Sequence, residues 1–206
     1  MEDIVNSYKT TTISKFSNIN FMDQNAYKNW LAQLYYLVEH SVPMLKKAFP
    51  VCQNATIKDA YSHHIEEELG HDLLAKNDLK NLDGSSVSQF ERLIETENLY
   101  KIGFESIDFD PASFVGYIMA LEFTAAWCYP PILDELKSVY GEGAIQFIHE
   151  HAVADQDHID IMLELCENMT AQEFQNTEVI LDRSFNAVWA LLDRFQVRDM
   201  RQERAA

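Results

Sequence analysis

Glycine and proline are scarce: six and five in 206 residues leave few places for sharp turns. No stretch alternates apolar and polar residues for long enough to make a strand. Cysteine is scarcer still. Cys52, Cys128 and Cys166 are an odd set with no Cys-x2-Cys spacing, which argues against both a disulfide framework and a zinc ribbon. Positive charge is also short: 16 Lys and Arg against 33 Asp and Glu leave a net charge of −17. Nucleic acid or an anionic membrane would repel such a chain without a strong basic patch, and the densest basic group, Arg194 to Arg204, is interleaved with acids. No apolar run approaches the roughly 20 residues needed to span a bilayer. The opening "MEDIVNSYKTTT" has no basic segment followed by an apolar run, so no secretory leader is expected and the cytoplasm is the default. The partner expected is a small-molecule substrate, with a homodimer left open.

What remains is helical. Apolar residues recur with helical period from about Asp23 to Ala48, with Pro43 as a kink, and from about Ala55 to Leu82, ending at "DGSS". A shorter helix is expected over Ser88 to Lys101. Asp110-Pro111 is a helix start, a side-chain cap followed by a residue without an amide hydrogen. The helix it opens carries "FVGYIMALEFTAAWCY" and ends near Pro130-Pro131; a further piece covers Ile132 to Tyr140. Gly143 to Asn168 is the next, and "TAQE" at Thr170 to Glu173 is a capping box for a last helix reaching about Arg201. The expectation is an all-α, single-domain bundle of six to eight helices over residues 1–206, with 1–20 a flexible or loosely packed segment.

Ionisable groups interrupt the apolar stripes of three of these helices. In "HEHAVADQDH", His151, Asp155 and His158 are spaced four and three, within about 40° of one another on a helix. Their face continues through Ile148, Met162 and Cys166, whereas His149 and Asp157 point elsewhere. In "HHIEEELGHD", His64 and His71 are seven apart on one face, flanked by Glu67 and Glu68. Glu122 stands alone in "YIMALEFTAA". A buried charge is costly unless it is paired or coordinates a metal, and this chain is short of Lys and Arg to pair it. Carboxylates mixed with imidazoles suit iron or manganese, and two carboxylate-bridged metals inside a helical bundle satisfy this layout. Six or seven ligands are enough for two ions, and such centres normally activate dioxygen.

The order His71, Glu122 and then "HAVADQDH", with its His-x3-Asp-x2-His spacing, resembles the heme-oxygenase-like diiron oxidases and oxygenases, as does "EEELGHDLL". The resemblance covers roughly Ala55 to Glu167. It implies the heme-oxygenase-like fold, two iron ions, dioxygen as co-substrate, and oxidation or cleavage of a small carboxylate- or amine-containing substrate. It also implies His71, Glu122, His151, Asp155 and His158 as ligands. One position departs: where the family usually has Glu seven residues before the histidine, this chain has His64. Either His64 binds metal, or Glu67 or Glu68 supplies the missing carboxylate, and the second iron is expected to be held weakly. Tyr35, Tyr36, Trp127 and Tyr129 are candidate pocket residues. Three alternatives stand beside this. A ferritin-like bundle would use Glu39, "ELGH", Glu122 and "DQDH". A thiaminase-like hydrolase would use Cys128. A non-catalytic helical domain would bury the same groups as a hydrogen-bonded network or a structural metal clip.

Overall fold

The computed structural model describes residues 1–196, and within them the chain is built from α-helices and short 3₁₀ turns. A single isolated bridge, Ile19 to Gln196, is the only extended pairing among the described residues. No helix there is long and apolar enough to cross a membrane.

The first twenty residues are not a loose segment. Glu2–Ser17 form α1, which buries Val5, Thr12 and Phe16. Tyr8 stacks on Phe185 at 4.4 Å, and the Trp189 indole donates to Thr12 Oγ1 at 2.9 Å, so α1 is tied to the last helix. The expected helix from Asp23 to Ala48 is two helices, α2 (Gln24–Val38) and α3 (Ser41–Val51). Asp23 caps the first through the amides of Asn25 and Ala26. Pro43 falls in the first turn of α3, where its missing N–H has no intrahelical acceptor to lose.

The expected helix from Ala55 to Leu82 is likewise divided, into α4 (Ala55–Glu67) and α5 (His71–Asp83). Gly70 sits between them at φ +94°, a left-handed conformation that glycine adopts without the Cβ penalty. The expected helix over Ser88 to Lys101 is displaced to α6 (Ile94–Phe109), behind a 3₁₀ turn at Val87–Gln89. Asp110 caps as expected, accepting from Ala112 N, but it opens a 3₁₀ turn (Pro111–Ser113) that leads into α7 (Phe114–Cys128). α8 covers Leu133–Tyr140. α9 (Gln146–Glu167) begins where Asp78 of α5 accepts from the amides of Gln146 at 3.0 Å and Phe147 at 2.7 Å. α10 (Ala171–Asp193) opens with the Thr170/Glu173 capping box; its expected continuation to Arg201 lies outside the described residues. The ten α-helices among the described residues exceed the six to eight expected because two long patterns are broken and α1 is ordered.

α7 is buried on almost every side and packs against α1, α6, α9 and α10. Gly116 permits the α10 crossing: a Cβ there would stand 2.5 Å from Thr177 O. The single charged residue of so apolar a helix, Glu122, is thereby held in the interior.

Candidate metal centre

Four helices deliver the ionisable groups. His64 and Glu68 come from the end of α4 and the residue after it, His71 opens α5, Glu122 lies midway along α7, and His151, Asp155 and His158 are on α9. The break at Gly70 turns α5 so that His71 meets His151, their rings 4.8 Å apart, while His64 meets His158 at 5.8 Å.

The donors fall into two groups. In one, His64 Nε2 is 3.1 Å and His158 Nδ1 3.3 Å from Glu122 Oε1. In the other, His71 Nδ1 is 3.6 Å from Glu68 Oε1, with His151 completing the set. Within each set, one donor atom per residue lies within 4.8 Å of the others. Glu68 links them, since its Oε1 is also 3.9 Å from His64 Nε2. Asp155 stands beside His158 at 3.6 Å. Of the five ligands that the resemblance implies, Glu122 and His158 fall in the first cluster and His71 and His151 in the second, whereas Asp155 is in neither and stands next to His158. The candidates for the missing carboxylate are resolved in space: Glu68 is nearly buried, whereas Glu67 is 53% exposed and faces the outer side of His64 at 3.4 Å and His158 at 3.8 Å.

Both Glu122 oxygens, Glu68 Oε2, Asp155 Oδ2, His71 Nδ1 and His158 Nδ1 are buried without a hydrogen-bond partner among the described residues. Several lie close to a neighbour without hydrogen-bond alignment, so they surround common points instead of satisfying one another. Donors bound to one ion at about 2 Å would themselves be ~3–4 Å apart. Leaving such groups unpaired in the interior costs several kcal/mol, and the Lys and Arg ion pairs among the described residues all lie elsewhere. A divalent cation held by each set of donors would satisfy them. The residues fit iron: carboxylates and imidazoles, with no thiolate, Cys166 being bonded instead to the Met119 sulfur. His151 Nδ1 donates to Phe147 O at 2.8 Å, which leaves the Nε2 lone pair for a ligand.

The charges respond to this crowding. Burial opposes the charged ring of His64, but Glu122, Glu67 and Glu68 outweigh it and raise its pKa to about 9. The Glu122 contact raises His158, while burial lowers His151. Burial would raise Glu68, yet His71, His64 and His151 hold it down at about 2. Asp155 is raised, by burial first and then by Glu122, Glu68 and Glu67.

An apolar cavity of about 80 Å³ opens against Glu68, Glu122, His151 and Asp155, walled by Trp30, Leu34, Leu121, Tyr129 and Leu191 among others. Of the aromatic residues expected to line a pocket, Tyr129 does so. Tyr35 and Tyr36 line a groove with Lys76 and Lys80, and Trp127 faces α1. Glu39 is in that same outer groove, outside both clusters, which removes the ferritin-like arrangement. Cys128 lies in the Trp127 groove, its thiol pushed up to about 12 by burial, with no cation among the described residues to lower it.

The fold is a helical scaffold, and the paired clusters on it are a candidate carboxylate–histidine metal centre. The chain belongs to the family of iron-containing redox enzymes, whose model matches residues 28–191. It is similar to a solved domain of unknown function with a heme oxygenase-like fold from Shewanella denitrificans, at TM-score 0.79 and 18% identity over 94% of this chain and 89% of that one. It is also similar to a TenA homolog from Pseudomonas syringae pv. tomato, at 0.73 and 12% over 94% and 90%. A third neighbour is a CADD-like protein of unknown function from Nostoc punctiforme, at 0.66 and 17% over 90% and 88%. These likenesses show the heme oxygenase-like fold. No curated protein matches the chain.

Proposed function

We propose that the chain is a dinuclear non-heme iron oxidase or oxygenase that uses dioxygen to oxidise or cleave a small substrate seated beside the metals. The observation that carries this is the pair of abutting donor triads, His64/Glu122/His158 and Glu68/His71/His151, with buried carboxylate oxygens that have no hydrogen-bond partner among the described residues. Two ferrous ions bound there would supply the electrons for dioxygen reduction. The chain's own part is to bind, orient and exclude water. Glu68 and Glu122 offset the metal charge, and the Phe147 carbonyl fixes the His151 tautomer. Asp155 stands 3.6 Å from His158, where burial and then the neighbouring glutamates raise its pKa in the metal-free site. The walls of the neighbouring cavity are mostly apolar, so the part of the substrate that enters is apolar and water is kept from the reacting groups. A carboxylate or amine on that substrate would be directed towards the metals, where the charged groups are. The test is anaerobic loading with Fe(II), desalting, and measurement of oxygen consumed per chain. Consumption that follows iron content supports the proposal, and iron-free protein with the same consumption refutes it.

A further inference from the structure

A second, smaller cavity of about 40 Å³ shares Glu68 and Glu122 with the first and is lined from α3, α4 and α7. It is lined by Tyr117, Ser41 and His64 together with those two carboxylates and apolar side chains. Tyr117 is 2% exposed, and its hydroxyl is buried with no hydrogen-bond partner among the described residues. Its ring is held firmly: it stacks on Phe114 at 5.5 Å, and it lies so close to Gly103 that a Cβ there would be 3.1 Å from two ring atoms. Glu68 lines the same cavity, and its Oε2 is equally unpartnered among the described residues. A phenol supplies one donor and a carboxylate oxygen accepts, so the two orphans are complementary. Glu68 is also the charged residue that acts on the Tyr117 phenol, after burial itself. A water needs roughly 10–15 Å³ of such space and 2–4 polar partners, and the cavity offers both.

We infer that Tyr117 and Glu68 share an ordered water in this cavity, which takes the phenol's hydrogen bond and donates to Glu68 Oε2. Tyr117 is then a positioning residue: it fixes the carboxylate that links the two clusters, and its effect on metal passes through Glu68. The consequence for metal rests on the proposed function; the water does not. The test has two arms. A high-resolution crystal structure of the metal-free protein is expected to show the water within about 2.7–3.2 Å of Tyr117 Oη and Glu68 Oε2. Anaerobic titration with Co(II), followed by its visible absorption, is expected to show Tyr117→Phe weakening the more labile site ~10- to 100-fold with a changed spectrum. Tyr61→Phe, which removes a buried hydroxyl bonded to Pro111 O, is expected to leave the spectrum as it was. A dry cavity overturns the inference, and so does a Tyr117→Phe protein that binds cobalt with unchanged affinity and spectrum. If the wild type takes up no cobalt, the metal centre fails, and the metal-free crystal still decides the water.

Discussion

Two adjacent glutamates at the end of α4 have opposite surroundings. Glu68 points inward to His71 and His64, while Glu67 stands half in solvent on the outer side of His64 and His158. Removing Glu68 leaves two imidazoles and no carboxylate in its cluster, so Glu68→Ala is expected to weaken the second metal by roughly 100-fold, whereas Glu67→Ala changes it less than about threefold. Isothermal titration under nitrogen separates these outcomes. Protons compete for the same atoms. His64 rests at about 9 in the metal-free site, above its ordinary 6.5, so at neutral pH it is charged and must lose its proton before a metal binds. Loading at pH 7 should therefore release protons into weakly buffered solution, and affinity should fall up to tenfold per unit as pH drops below 9. The stability of the metal-free fold runs the other way. A group whose pKa is raised on folding stabilises fully below its unfolded value and loses that contribution as pH rises through the folded one. His64 and His158 act together here, so the metal-free melting temperature should decline between pH 6.5 and 9. A rising melting temperature over that window would show that the histidines are not paired with these carboxylates.

At the level of helices, the centre depends on two junctions. Gly70 has open space around it, so Gly70→Ala meets no clash; its cost is the left-handed backbone, ~1–2 kcal/mol. A helix continued through this point would carry His71 away from His151, so the variant should lose affinity in the Glu68 cluster as well as stability, read by titration and thermal melting. Asp78 caps α9 from another helix, and Asp78→Ala should cost ~0.5–2 kcal/mol in denaturant unfolding. These junctions explain what could be read from the chain beforehand. His151, Asp155 and His158 were legible because one uninterrupted helix sets their relation, and Glu122 because it stands alone in an apolar run. The pairing of His64 with His158, and of His71 with His151, was not. It depends on a bend at one glycine, and a lone glycine inside an apolar pattern costs a continuous helix only ~1 kcal/mol, so periodicity does not distinguish bend from helix. That Glu68, and not Glu67, meets His71 depends on the same bend. In α1, Val5, Tyr8, Thr12 and Phe16 follow a spacing of three, four and four, but the stripe contains a threonine and lies among polar residues, so it is faint without its partners on α10.

Across the whole molecule, the two clusters lie between an apolar cavity on one side and a groove of about 390 Å³ on the other, where Asp59, His63, Glu67 and Glu164 gather beside His64 and His158. The donors are contributed by α4, α5, α7 and α9, so metal should staple these helices together and raise the melting temperature with the logarithm of its excess over Kd. α7 carries Glu122 and is held by α10 through Gly116. Gly116→Ala should therefore destabilise the fold by ~1–3 kcal/mol of overpacking, even though it is a single methyl group far along the helix from the acid. The most direct measurement of the centre is metal stoichiometry: anaerobic Fe(II) loading and desalting, with iron counted per chain for the wild type, Glu68→Ala and His158→Ala. Close to two irons in the wild type are expected, with a large loss in each variant. A wild type that retains no iron, or variants that retain as much as it does, would contradict the dinuclear centre.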